Sequence, residues 1–104
     1  MKRAFAAILL LLSGTAEAQT LSVADIKAIV ASPTRSAADR TNDLRRHPEE
    51  MLAFIAIKPG IAALDLSAAS GYTTELLARG IGPAGKVYGQ SRPRPAQATA
   101  PPAQ

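Results

Sequence analysis

Two short segments in the second half of the chain, each predicted to be a β-strand, constrain its fold more than any other feature. The first, IAALDL, spans residues 61–66, and the second, KVYGQ, spans 86–90. Residues 67–85 separate them, and within this stretch 72–79 has a leucine pair that suits the packing face of a helix. Parallel strands require a crossover of this length. The sequence therefore predicts an α/β fold built on a strand–loop–helix–strand unit.

The composition of these segments also predicts how the unit packs. The first strand is almost wholly apolar, so we expect it to be buried on both faces, as strands of parallel sheets usually are. Leu76 and Leu77 are expected to pack the helix, together with Tyr72 at its start. Gly80 is well placed to end the helix.

Residues 19–60 carry three helix-start signals and are predicted to form an N-terminal helical segment. Ser22 and Asp25 have the spacing of a capping box, and Ser36 and Asp39 repeat it. A proline and two acidic residues mark the third start: Pro48, Glu49 and Glu50.

The spacing of apolar and charged residues predicts which helix faces are buried. The first helix is expected to pack through Val23, Ile26 and Val30. The third is expected to pack through Met51, Leu52, Phe54 and Ile55. The charged run over residues 39–50 is interpreted as a solvated face. His47 is interpreted as a helix-boundary residue, with a place in a cofactor cleft as the alternative.

Residues 1–18 have the pattern of a secretory signal peptide. Two basic residues are followed by an apolar run over 4–12 and by an A-x-A cleavage site that ends at Ala18. A run this short, at about 1.5 Å per residue, cannot cross a hydrocarbon core of about 30 Å, so no stable membrane anchor is expected. We predict cleavage after Ala18 and export to the periplasm.

Composition excludes several classes of function. With no cysteine and one histidine, the chain has no thiol chemistry and no histidine-based metal site, so no metal is predicted. Residues 19–91 hold eight basic and seven acidic residues and few aromatic ones, so no nucleic-acid binding is expected. Residues 92–104 are rich in proline and alanine and are predicted to be a disordered tail.

The loop after the first predicted strand is where ligand chemistry is expected. In LDLSAASGYTTELLA, residues 64–78, Asp65 lies near the end of an apolar run, and small residues lead into a helix. Such loops hold nucleotide-like cofactors, because small residues let a ligand approach the backbone and the helix offers free N–H groups. Neither the dinucleotide fingerprint G-x-G-x-x-G nor a Walker A loop is present.

The stretch resembles motif I of class I S-adenosylmethionine-dependent methyltransferases, whose pattern is roughly D/E-x-G-x-G-x-G after the first strand. Residues 19–90 are similar to a bacterial group of predicted methyltransferases that are made with leader peptides. Those proteins carry an Arg-His-Pro segment, then a Pro-Gly turn, then the strand and motif I, and RHP at 46–48 and PG at 59–60 follow that order. The resemblance implies that 61–91 is a partial Rossmann-like unit that binds S-adenosylmethionine.

The resemblance also implies the roles of particular residues. Asp65 corresponds to the acidic residue that helps hold the amino acid end of the cofactor, and Gly71 to the last glycine. Ser67 and Ala69 stand at the other two glycine positions, where a positive φ would cost a side chain roughly 1 kcal/mol. Gln90 is nearest to the position of the ribose-binding acidic residue. A second interpretation of Asp65, as a cap of the helix N-terminus, stays open.

Three interpretations of the function remain open at this point. A class I enzyme builds a doubly wound sheet of about seven strands, whereas this sequence predicts two. We therefore expect a truncated methyltransferase-like protein, either active or inactive, with the methyl acceptor and any catalytic residues unknown. The first alternative is a small exported, non-catalytic binding or interaction domain, and the second is a non-functional fragment that cannot fold. Whether the chain is an enzyme is left open.

Overall fold

The computed structural model describes residues 18–93, which form a small α/β domain of four helices and a two-stranded sheet. Along the chain the elements are α1 (Val23–Val30), α2 (Ala37–Arg46), α3 (Pro48–Phe54), β1 (Ala62–Leu66), α4 (Tyr72–Ile81) and β2 (Lys86–Gln90). The predicted α/β class and the order of elements are confirmed. The predicted signal peptide, apart from Ala18, and most of the predicted C-terminal tail lie outside the described residues.

Local capping starts the N-terminal helices where the sequence predicts. At α1 the Ser22 hydroxyl accepts from the Asp25 amide at 3.1 Å, and the Asp25 carboxylate accepts from the Ser22 amide at 3.2 Å. At α2 the Ser36 hydroxyl accepts from the Asp39 amide at 3.0 Å. Pro48 occupies the start of α3, where its missing N–H costs nothing.

The apolar faces of α1 and α3 are narrower than predicted. Ile26 and Leu52 are buried in the core, whereas Val23 is 68 % exposed and Phe54 is 89 % exposed. The prediction that these last two residues pack was therefore wrong. They lie in the first turn of one short helix and at the end of another, outside the stripe that faces the core.

The strands β1 and β2 are parallel, with Leu64 paired to Tyr88. One face of this sheet packs on the core through Ala63 and Val87, which are half-buried. The other face carries Leu64, Leu66 and Tyr88, which are 61 %, 69 % and 57 % exposed. The prediction that the first strand is buried on both faces was therefore wrong, because among the described residues only one face is covered.

Helix α4 continues past its predicted end. Gly80 lies inside the helix, and the cap is Gly82, whose φ is 71°. A Cβ on Gly80 would lie 3.0 Å from Leu21 Cδ1 and 3.3 Å from Ile57 Cγ2. The glycine therefore allows a close approach between α4 and the N-terminal segment, and the prediction that it ends the helix was wrong.

The core lies between α1, α3, α4 and the covered face of the sheet. Its buried residues are Ile26, Leu52, Ile57, Tyr72, Leu76, Leu77 and Ile81. The packing roles predicted for Tyr72, Leu76 and Leu77 are thereby confirmed. No helix between residues 18 and 93 has the length and apolar content that a membrane span requires.

Candidate functional site

The loop that connects β1 to α4, residues 67–71, lies at the carboxyl ends of both strands. The Ala68 amide donates to the Gln90 carbonyl oxygen at 2.8 Å, and the Ser67 amide donates to the Gln90 side-chain oxygen at 3.3 Å. These bonds anchor the loop on β2. All the residues predicted for the cofactor site lie at the carboxyl end of the sheet: Asp65, Ser67, Ala69, Gly71 and Gln90.

Three alternating residues of this loop have a left-handed backbone. The φ angle is 65° at Ser67, 49° at Ala69 and 91° at Gly71. A residue with a side chain pays roughly 1–2 kcal/mol in this region, whereas glycine does not. The loop therefore favours glycine at three positions spaced two residues apart, and this chain has glycine only at the third.

Replacing either strained residue with glycine is expected to stabilise the fold. Ser67→Gly and Ala69→Gly should each raise the free energy of unfolding by about 0.5–1 kcal/mol, because relief of strain exceeds the extra chain entropy of glycine. Ala68→Gly is the matched control. Ala68 lies outside the left-handed region, so this variant should lower the free energy of unfolding by about 0.5–1 kcal/mol. Urea denaturation measures all three, and a destabilised Ser67→Gly together with a destabilised Ala69→Gly would contradict this reading of the loop.

Asp65 ties β1 to the first turn of α4. Its Oδ2 atom accepts a 2.7 Å hydrogen bond from the Thr74 hydroxyl. The N-cap of α4 is Gly71, and no side chain caps the helix there. The interpretation of Asp65 as a cap of the backbone is therefore wrong. Within residues 18–93 the other carboxylate oxygen, Oδ1, makes no hydrogen bond and remains able to accept one.

Helix α4 also begins with free backbone donors. Among the described residues, the amides of Tyr72 and Thr73 find no acceptor. Such groups, together with the helix dipole, favour an anionic group at this end. A Cβ placed on Gly71 would meet nothing within 4 Å, so the space next to the loop is open.

A groove of about 430 Å³ starts beside Asp65 and Thr73 and runs along β1. We call it the β1-edge groove. Apart from those two residues its lining is apolar, contributed by Met51, Ile55, Ile57, Ile61, Ala63, Leu64, Leu66 and Leu77. A volume of this size is within the range of small-molecule sites.

A second polar cluster, which the sequence did not predict, lies against Tyr72 at the start of α4. Arg35 is 2 % exposed. Its guanidinium group donates two hydrogen bonds to the Asp43 carboxylate, from Nη1 to Oδ2 at 2.7 Å and from Nη2 to Oδ1 at 2.9 Å. Its Nη1 also donates to the Val30 carbonyl oxygen at 2.8 Å, and the Tyr72 hydroxyl donates to Asp43 Oδ1 at 2.6 Å. Arg46 stacks on the Tyr72 ring, with its Cζ atom 4.1 Å from the ring centroid.

Arg35 and Asp43 in this cluster are both charged at neutral pH. Hydrogen bonds from the Arg35 guanidinium keep the pKa of Asp43 below its usual range, and the bond to Asp43 raises the pKa of Arg35. Burial raises the pKa of Tyr72, so its hydroxyl stays protonated. The interpretation of residues 39–50 as a solvated face was therefore wrong at Asp43, which clamps α2 to α4.

The remaining sequence candidates have structural positions. His47 separates α2 from α3 with a left-handed φ of 47°, so its interpretation as a helix-boundary residue is confirmed. With Asp43 and Pro48 it lines a separate cavity of about 320 Å³. Between residues 18 and 93, no three His, Asp or Glu side chains are grouped in a way that could hold a metal ion.

No protein-family model matches this chain, and no curated protein or solved structure is significantly similar to it.

Proposed function

We propose that this chain is a methyltransferase-like protein of the class I type that binds S-adenosylmethionine at the carboxyl ends of β1 and β2. One observation carries the proposal. Left-handed backbone occurs at Ser67, Ala69 and Gly71, the three positions at which the resemblance places the glycines of motif I. The loop has the backbone conformation that glycine favours at all three positions, although two of the positions hold serine and alanine. The backbone conformation, rather than the residue types, therefore supports the resemblance to motif I.

The residues around the loop fit the polar groups of this cofactor. The free Oδ1 of Asp65 can accept from an ammonium group, and the free amides of Tyr72 and Thr73 can donate to a carboxylate. The amide nitrogen of Gln90 can donate to a ribose hydroxyl, although without the charge assistance of a carboxylate. Ser67 and Ala69 fit the cofactor least well, because a side chain limits how closely a ligand can approach the backbone, whereas glycine does not.

Methyl transfer would follow from placement more than from side-chain chemistry. The bound cofactor supplies an electrophilic methyl group, and the protein must hold the acceptor in line with it. Two strands form the sheet among the described residues, whereas a doubly wound enzyme binds its substrate beyond the ends of several more. The acceptor therefore stays unassigned, and no catalytic residue is proposed.

Binding of the cofactor is tested with Asp65→Asn. Calorimetry is expected to show binding of S-adenosylmethionine to the full chain and a loss of about 1.5–3 kcal/mol in the variant, because a hydrogen bond to a charged group is removed. That loss is roughly 10- to 150-fold in Kd. Glu49→Gln, an exposed carboxylate on α3, is the control and should bind as the parent does. Absence of binding by the parent chain would overturn the proposal.

A second function is favoured by a different observation. The Asp65 carboxylate already has one oxygen bonded to the Thr74 hydroxyl, and two of the three left-handed positions of the loop carry side chains in place of glycine. Both features suit a small exported binding domain that uses the strand–loop–helix–strand unit without a cofactor. This alternative predicts cooperative unfolding that is unchanged by S-adenosylmethionine, whereas a bound cofactor raises the Tm.

Export belongs to the proposal as well. The basic start, the apolar run over 4–12 and the cleavage site at Ala18 suit a signal peptide that sends the chain to the periplasm. N-terminal sequencing of secreted protein would test cleavage after Ala18. S-adenosylmethionine is made in the cytoplasm, so an exported protein would have to acquire it before export or bind a related ligand outside.

A further inference from the structure

The side chain of Asp65 is held in place by a residue of the following helix. Its Oδ2 atom accepts the 2.7 Å hydrogen bond from the hydroxyl of Thr74, in the first turn of α4. Asp65 is half-buried and lines the β1-edge groove. The last torsion of an aspartate side chain has only a broad, roughly two-fold preference, so a carboxylate without such a bond turns easily. The bond from Thr74 therefore fixes which oxygen faces the helix and which stays free.

Thr74 is well suited to hold a carboxylate in one orientation. Branching at Cβ limits a threonine in a helix to two rotamers, in which the hydroxyl commonly bonds a backbone carbonyl of the preceding turn. Thr41 on α2 shows that common arrangement, because its hydroxyl donates to the Ala37 carbonyl oxygen at 3.1 Å. The Thr74 hydroxyl donates to Asp65 instead, nine residues earlier in the chain and on a different element. This bond joins α4 to β1 through a stiff side chain.

The neighbouring strand leaves room for this bond. Gly89 on β2 is paired with Asp65, and a Cβ on Gly89 would lie 3.2 Å from Thr74 Oγ1 and 3.1 Å from Ala68 Cβ. The φ angle of Gly89 is not positive, so the backbone itself does not require glycine at this position. A glycine inside a strand often marks a close approach by another group. Here the close group is the Thr74 hydroxyl, next to Asp65.

From these contacts we infer that Thr74 and Gly89 are positioning residues of the proposed cofactor site and act through Asp65. They hold the carboxylate so that its Oδ1 atom can accept from the ammonium group of a ligand. An acceptor that is already oriented loses less conformational freedom on binding, so it contributes more to affinity. The site therefore selects adenosine derivatives that carry an α-ammonium group over those that lack it. This inference rests on the proposed function and adds the residues that set its ligand selectivity.

Calorimetry with the full chain and two ligands tests this inference. S-adenosylhomocysteine has the same amino acid end as S-adenosylmethionine, whereas methylthioadenosine keeps the adenosine and the thioether but lacks the ammonium group. Thr74→Val removes the hydroxyl and keeps the shape of the side chain, so it should weaken binding of S-adenosylhomocysteine about 3- to 10-fold. The same variant should bind methylthioadenosine within about twofold of the parent, because that ligand has no group for Asp65 to accept from.

Further variants separate positioning of Asp65 from a general loss of structure. Thr74→Ser keeps the hydroxyl and should bind both ligands as the parent does. Gly89→Ala should reproduce the selective loss, because its Cβ crowds the Thr74 hydroxyl. Thr41→Val is the matched control, since it removes a hydrogen-bonded threonine hydroxyl from α2. In an Asp65→Ala background, Thr74→Val should not change the Kd for S-adenosylhomocysteine any further, because no carboxylate is left to hold.

The outcomes distinguish this inference from the proposed function. If the parent does not bind S-adenosylhomocysteine, the proposed function fails and this inference fails with it. If the parent binds and Thr74→Val binds equally well, this inference alone is overturned. An equal loss for both ligands, or a further loss in the Asp65→Ala background, also overturns it, because Thr74 would then support the loop as a whole. If Thr74→Val does not fold, Gly89→Ala decides: a loss confined to S-adenosylhomocysteine supports the inference, and any other result overturns it.

Discussion

Asp43→Ala is expected to lower the free energy of unfolding by about 3–5 kcal/mol, the usual cost of removing one partner of a buried ion pair. Arg35 would keep its charge with a side chain that is 1 % exposed, and both guanidinium bonds to Asp43 would be lost. The Tyr72 hydroxyl would also lose its acceptor. Because small domains are stable by only about 5–15 kcal/mol, the variant should be close to unfolding at 37 °C.

Two further variants separate the buried charge from loss of packing. Tyr72→Phe removes one donor and keeps Asp43 paired, so it should cost about 1 kcal/mol. The double variant Arg35→Met with Asp43→Leu should recover most of the loss, because apolar residues of similar size often replace a buried pair without penalty. Denaturant unfolding at neutral pH measures all three variants. An Asp43→Ala protein within about 1 kcal/mol of the parent would show that the pair carries little stability.

The pH profile reports on the same carboxylate. The Arg35 hydrogen bonds lower the pKa of Asp43 in the folded state below the unfolded value, which is about 3.9. Its contribution to stability is therefore fully present above that unfolded value and is lost as the pH falls through the lowered pKa. The parent should lose stability below about pH 4 more steeply than Asp43→Asn does. Asp25 also has a lowered pKa, owing to hydrogen bonds with Ser22. Asp25→Asn therefore serves as the control that separates the contribution of Asp25 to the acid loss of stability from that of Asp43.

The elements that the sequence predicts well are those with local causes. Ser22, Ser36 and Pro48 start helices through contacts within three residues, and the parallel pair follows from the length of the crossover. Burial is predicted less well, because it depends on what lies across the domain. The composition of β1 predicts that its outer face is buried. Leu64 on that face is nevertheless exposed, because no element among the described residues covers this face of the sheet.

The candidate site shows the same division. Asp65, Ser67 and Gly71 come together because they are close in the chain and follow a strand. The pairing of Arg35 with Asp43 joins a turn to the middle of the next helix, and Tyr72 lies far away in sequence. A buried arginine has no periodic signal, and Asp43 stands in a charged run that suits a solvated helix. Only the tertiary structure reveals why the charge is there.

The second large effect is expected from Gly85→Ala, at the turn into β2. A Cβ on Gly85 would overlap Ile81 Cγ2 and the Ile61 carbonyl oxygen, and it would lie 2.9 Å from the Gly60 carbonyl carbon. The Ile61 carbonyl accepts from the Lys86 amide at 3.0 Å, so relief of the clash must pull β2 away from β1. We expect a loss of about 3 kcal/mol or more, at the upper end for overpacking, measured as free energy of unfolding.

Gly80→Ala is the matched control for that prediction, since both glycines are crowded and neither has a positive φ. At Gly80 the nearest atoms are side-chain carbons of Leu21 and Ile57, at 3.0 and 3.3 Å, and these can shift. Alanine also gains about 1 kcal/mol of helix propensity there, so the net change should stay within about 1 kcal/mol. Equal losses of unfolding free energy in the two variants would mean that crowding by any neighbouring atom, rather than contact with the backbone, causes the effect. A large loss only at Gly85 would show that the backbone contact with Ile61 sets how closely β2 approaches β1.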